Sequence, residues 1–219
     1  MHMTDRGLLA LVRHEGLVPG PYLDVKNVWT FGIGHTASAG PPDPAQMPRG
    51  MPADLDAGIR EAFRLFRSDI ATYEAEVLRA VKVPLEPHEF DALVSFHYNT
   101  GGIAKASLTR HLNAGNRAAA AQGFMGWLRP AAIRTRREAE RDLFRDGRYA
   151  TGTIPVWAVD RNGRVDFSRP IRRLTEVEAL TLLRPVGTPV PLPVPAPPIS
   201  PSGWLARLVT FFSNLTRRV

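Results

Sequence analysis

Apolar residues in the first 150 positions mostly follow helical spacing. Residues 7–14, G-L-L-A-L-V-R-H, are apolar at 8, 9, 11 and 12, one face of a helix. Gly16 and Pro19 follow as stop signals. Longer helical patterns run near 55–81, 87–100, 107–114, 116–128 and 134–146, punctuated by Gly101-Gly102, Gly115 and Pro130. Between the first helix and these, residues 22–35 read as a hairpin. Tyr22, Leu23 and Val25 form one arm, Lys26-Asn27 the turn, and Val28, Trp29, Phe31 and Ile33 the other arm. The pattern predicts an α+β fold, with a first helix and small N-terminal sheet lobe followed by a larger helical lobe.

After residue 150 the pattern changes. T-I-P-V-W-A-V-D-R-N-G-R-V-D-F-S reads as two short strands around Asn162-Gly163, a strong hairpin signal in which both turn positions take positive φ. Thr175 and Glu178 stand in capping-box order and predict a short helix ending before Pro185. A unit spanning 151–184 is too small to bury a core alone, so docking onto the domain at 1–150 is expected, with wall binding as the functional alternative. Residues 185–202 hold eight prolines and read as a semi-rigid linker. In 203–219, Trp204, Leu205, Leu208, Phe212, Leu215 and Val219 follow helical spacing with Phe211 at their edge, while Arg207, Asn214 and Arg218 lie off the stripe. A basic amphipathic helix of this kind suits a membrane interface, or packs back on its own domain or a second copy.

The chemistry is concentrated near the start. Residues 15–36, E-G-L-V-P-G-P-Y-L-D-V-K-N-V-W-T-F-G-I-G-H-T, bring Glu15, Asp24 and Thr30 close together in sequence beside a glycine-rich turn. Cleaving a glycosidic bond needs one carboxyl to donate a proton to the leaving oxygen. A second must stay charged, to activate water or stabilise an oxocarbenium ion. Glu15 falls at the end of the first helix and Asp24 and Thr30 on the arms of the hairpin, so a helix end faces a sheet. Leu17 and Trp29 are expected to surround Glu15 with apolar surface and disfavour its ionised form. Each residue alone reads as ordinary surface, turn or strand chemistry; the string as a whole is far more specific.

That string, E-G-x4-P-Y-x-D followed by T-x-G-x-G-H-T, resembles the phage-type lysozymes, the endolysins of glycoside hydrolase family 24. The likeness spans about residues 5–150. It implies a lysozyme-like fold in which Glu15, Asp24 and Thr30 are catalytic. It implies that Asp69, on the helix F-R-L-F-R-S-D-I-A-T-Y-E-A-E-V-L, pairs with His35 and ties the hairpin to that helix, and that Asn99 faces the substrate cleft, with His35 grouped with it on the substrate-binding side. Residues 124–148, with Trp127 and an arginine-rich helix, resemble the closing segment. Two departures stand out: P-G-P-Y before Asp24, and a long Pro/Gly loop at 37–53. Neither touches the three catalytic positions.

The resemblance implies hydrolysis of the β-1,4 bond between N-acetylmuramic acid and N-acetylglucosamine in peptidoglycan, by an inverting displacement, without metal or organic cofactor. Two alternatives stay open. One is a lytic transglycosylase on the same scaffold, which Asp24 and Thr30 argue against. The other is a non-catalytic wall-binding or membrane-disrupting protein acting through 203–219.

Composition narrows the partners. Cysteine is absent, which excludes a disulfide framework and thiolate metal sites. Net charge is +7. Residues 1–150 carry 19 basic and 17 acidic side chains, and 151–219 carry 9 and 4. No phosphate loop, zinc spacing or RNA-binding aromatic motif accompanies the charge, so nucleic acid is not the expected partner. Anionic peptidoglycan, lipopolysaccharide or phospholipid is. The opening segment does not read as a secretory signal, since Arg13 interrupts a short apolar run. The expected location is therefore the host bacterial cytoplasm before lysis, with holin-dependent passage to periplasmic peptidoglycan implied by the family. His2-Met3 is read as a cloning remnant outside the fold.

Overall fold

The computed structural model describes residues 1–184. The expected linker at 185–202 and amphipathic helix at 203–219 lie outside the described residues.

Helix α1 spans Asp5–Glu15, its N-terminus capped by Thr4, whose hydroxyl accepts from Gly7 N. It buries Leu8, Leu9, Leu11 and Val12. Met3 is buried beside it, and its backbone N–H and the His2 ring both reach the Glu74 carboxylate at 2.7 Å. His2 and Met3 are therefore part of the fold, contrary to the reading of them as an appended remnant.

A three-stranded antiparallel sheet follows, β1 (Val18–Leu23), β2 (Trp29–Gly32) and β3 (His35–Thr36), in the order β1-β2-β3. The first strand begins four residues before Tyr22. Its register with β2 shifts between Val18 and Tyr22, where Pro19 and Pro21 cannot donate to the ladder. Tyr22 then pairs with Thr30 and Leu23 with Trp29. The turn falls beyond the strand, so Asp24 sits in the turn and not on an arm.

The helical lobe comprises α2 (Leu55–Ala80), α3 (Pro87–Thr100), α4 (Ser107–Asn113), α5 (Arg117–Gly123) and α6 (Arg134–Asp146). The single helix expected over 116–128 ends at Gly123, and a short 3-10 turn takes over at Phe124–Gly126. Gly123 lies against Leu108, where a Cβ would come within 2.7 Å. Helix α3 is buried nearly all round: Phe90, Leu93, Val94 and Phe96 are buried together with Glu89, Asp91, Ser95 and His97, as befits a central core helix whose polar groups are paired.

Residues 151–184 form two short ribbons and a helix. β4 (Ile154–Val156) pairs with β7 (Arg172–Leu174), β5 (Ala158–Val159) with β6 (Val165–Asp166), and α7 spans Glu176–Leu183 with the Thr175–Glu178 capping box in place. The tip differs from the two-residue turn expected. Gly163 alone takes positive φ, 80°, and Asp160 Oδ1 accepts from the Asn162 and Arg164 N–H groups. The aspartate supplies the closure that a second left-handed residue would otherwise give. Ile154, Val156, Leu174, Ala179, Leu182 and Leu183 join the same hydrophobic core as α1 and α2, so residues 1–184 fall within one compact unit.

Candidate active site

Glu15 is the last residue of α1. Gly16 follows with φ 80° and returns its N–H to Val12 O, ending the helix. The Glu15 side chain keeps 24 % of its surface exposed, and Arg136 Nη1 donates to its Oε1 at 2.5 Å. The apolar surroundings expected from Leu17 and Trp29 are thus replaced by a guanidinium from α6. Among the described residues Glu15 has no other side-chain hydrogen bond.

Arg136 is itself fixed. Its Nε donates to Glu140 Oε1 at 3.0 Å and its Nη2 to Ser95 O at 3.2 Å. Burial works against its charge, but Glu15 and Glu140 outweigh that and hold its proton more tightly than usual. Arg137, fully buried, donates to Glu140 and to Asn99 Oδ1, with its guanidinium over the Phe96 ring. This cationic floor also acts on His14. Burial, then Arg136, Arg137 and Arg13, lower its pKa to about 4.

Asp24 is held by its own turn. Its Oδ1 accepts from Lys26 N at 2.8 Å and Val28 N at 2.9 Å, and Asn27 adopts φ 58°. Its second oxygen has no partner among the described residues. Thr30 is buried on β2, and its hydroxyl donates to Val28 O at 3.1 Å. Tyr22 stands opposite Thr30. Burial first, then the charges of Glu15 and Asp24, push its phenol up to about 12. Both carboxylates therefore act on one tyrosine. Tyr98 is raised in the same way, by burial and then by Glu15, and its hydroxyl donates to Ile33 O at 2.8 Å.

His35 is buried, with Nδ1 2.8 Å from Asp69 Oδ2 and Nε2 2.9 Å from Pro42 O. With both nitrogens occupied, it ties the sheet to α2 and to the 37–53 loop. Burial raises the Asp69 carboxyl, with the His35 bond opposing. Next to this pair lies a polar pocket of about 300 Å³ lined by Gly34, Ser68, Asp69, Tyr73, Glu76 and Tyr98, among others. Asn99 is exposed at the end of α3, gripped by Arg137.

The phage lysozyme family model matches residues 12–140. The chain belongs to the phage lysozyme family. It is 33 % identical over 150 residues to the endolysin of Salmonella phage P22, covering 66 % of this chain and 98 % of that one. It is 34 % identical over 145 residues to the SAR-endolysin of Escherichia phage Mu, covering 63 % and 76 %. Among solved structures it is similar to an endolysin from Escherichia coli O157:H7 phage FAHEc1 (TM-score 0.59, 28 % identity, 69 % of this chain and 98 % of that chain). It is also similar to a P22 lysozyme variant (TM-score 0.56, 29 % identity, 66 % and 98 %). As a phage lysozyme of the endolysin type, the chain is a peptidoglycan-hydrolysing glycoside hydrolase.

Within this phage lysozyme, Arg136 and Tyr22 are the residues that reading the string around Glu15 missed. Tyr22 lies inside the motif. Arg136 is one of four arginines at 134, 136, 137 and 141, and spacing alone does not say which of them turns toward α1. Residues 151–184 lie beyond the matched span, yet Gly163 O accepts from Leu23 N at 2.8 Å. The hairpin thereby braces the end of β1, from which the Asp24 turn leaves.

Proposed function

We propose that this enzyme is a muramidase cutting the β-1,4 bond between N-acetylmuramic acid and N-acetylglucosamine, with Glu15 as general acid. Asp24, charged and held by its turn, orients or deprotonates the attacking water with help from Thr30. The reaction inverts the anomeric centre, in which case the two carboxyl groups flank a water. The observation that carries this reading is Tyr22, whose phenol feels the charge of both Glu15 and Asp24. A helix-end carboxylate and a turn carboxylate both within electrostatic reach of one side chain, with Thr30 paired opposite it, is the layout two-carboxylate catalysis needs.

In the same reading the protein is made in a host cytoplasm and reaches periplasmic peptidoglycan through a holin-type pore. Residues 203–219 supply contact with membrane or lipopolysaccharide.

The test is digestion of purified peptidoglycan by wild type and Glu15→Gln, with products read by mass spectrometry. Reducing muramic-acid ends made only by the wild type support the reading. Anhydro-muramic ends indicate a transglycosylase instead, and ends carrying reducing N-acetylglucosamine move the cut to the other bond. NMR of the first-formed anomer decides between inversion and retention.

A further inference from the structure

The hairpin of residues 154–174 is broken at matching places on its two arms. On one arm Trp157 separates β4 from β5; on the other, residues 167–171 separate β6 from β7. The break displays apolar surface. Phe167 is 66 % exposed and Ile171 47 %. The Phe167 and Trp157 rings meet edge to face, centroids 5.4 Å apart. The pair thus presents an exposed aromatic on a segment otherwise pinned to the protein.

Its position is tied to Glu15. The Trp157 backbone N–H donates to Leu17 O at 2.9 Å. Its indole lies along the bare face of Gly16, where a Cβ would sit 3.5 Å from Nε1. One residue therefore separates the proposed acid from the aromatic pair. Among the described residues the indole N–H has no hydrogen-bond partner.

We propose that Trp157 and Phe167 form a sugar-stacking subsite that takes a pyranose ring of the glycan strand beyond the two residues flanking the cleaved bond. This rests on the muramidase reading above. A pyranose presents an apolar C–H face that packs on an aromatic ring, and polar groups at its rim that an unpaired indole N–H meets. The occupant is the same polymer already seated at Glu15, because the patch is continuous with that site through Gly16. The subsite lies beyond residues 12–140, the span of the family match.

Phe167→Ala tests it, since that side chain is exposed and its loss leaves the core intact. In the active enzyme, KM for long glycan strands rises about tenfold, a change of about 1.4 kcal/mol, while kcat stays within about twofold, as for loss of uniform binding. Phe167→Trp restores KM. In a Glu15→Gln background, Phe167→Ala pellets less with insoluble purified peptidoglycan. Unchanged KM and pelleting in a Phe167→Ala protein with wild-type thermal stability overturns the subsite and leaves the muramidase reading standing. Failure of the wild type itself to release muramic-acid ends overturns that reading, and the subsite with it.

Discussion

Arg136 donates from Nη1 to Glu15 Oε1 at 2.5 Å across 121 positions of sequence, joining the end of the first helix to the arginine-rich helix α6. The same guanidinium holds Glu140 and the Ser95 carbonyl. One planar fork thereby fixes the orientation of the proposed acid against the helical lobe.

Arg136→Lys keeps the charge but cannot hold three acceptors in a fork. Turnover on purified peptidoglycan is expected to fall by about 10²-fold, the scale of a misplaced catalytic group. Arg136→Ala adds a stability loss of about 3 kcal/mol by removing a partner from a buried ionic network. Kinetics and urea unfolding of both variants check this. Wild-type kcat in Arg136→Lys would show that the pairing does not position Glu15.

Asp24 closes its own turn and, in the proposed mechanism, supplies a charge. Asn retains the accepting oxygen that Lys26 and Val28 use and loses only the charge. Asp24→Asn is therefore expected to unfold within about 0.5 kcal/mol of wild type, as for a surface change that spares its hydrogen bonds. Its kcat should fall at least about 10²-fold. Asp24→Ala should lose both activity and about 1 kcal/mol of stability, the worth of the lost hydrogen bonds. An active Asp24→Asn would remove the residue from the chemistry.

Gly163 takes φ 80°, and a Cβ there would come within 2.6 Å of the Trp29 ring. Arg49 lies over that ring, 3.5 Å from its centroid, which limits how it can yield. Gly163→Ala is expected to cost about 1–3 kcal/mol from backbone strain and overpacking. It should also lower kcat, because Gly163 O anchors Leu23 beside Asp24. Thermal unfolding and peptidoglycan turnover measure the two effects.

His14 carries a sign that pH can expose. Its pKa is about 4 in the fold against 6.5 in an unfolded chain, so between those values the unfolded state binds the extra proton. Its contribution is fully present above pH 6.5 and is lost as pH falls toward 4, by at most about 3 kcal/mol. Urea midpoints of wild type and His14→Gln, followed from pH 7 to 4, should show wild type losing stability relative to the variant as pH falls. Parallel curves would mean that His14 does not titrate in this way.

Much of the fold was legible because local rules and tertiary packing agree. Helices at 55–81, 87–100, 107–114 and 134–146 stand within a residue of their expected ends, with Asp54 capping the first, Pro87 and Gly101 bounding the second, and Gly115 and Gly147 following the last two. Asp24 and Asp160 show where local reading stopped short. Each accepts from the N–H groups two and four residues on, and each turn places a left-handed residue three positions later, Asn27 and Gly163. Local chemistry of aspartate, read as the bland alternative to catalysis at residue 24, is here the device that aims the carboxylate.

By itself, the sequence determined the α+β order, the family to which the string around Glu15, Asp24 and Thr30 belongs, and the helix and turn ends set by short-range hydrogen bonds. Only the tertiary structure decided what surrounds Glu15, which arginine reaches it, and that residues 151–184 share the main core and grip the end of β1 next to Asp24. The reason is range. Caps, turns and periodicity are settled within a few residues, whereas the guanidinium at Glu15, the indole on Gly16 and the carbonyl at Leu23 arrive from more than 100 positions away. Their placement depends on how whole elements pack.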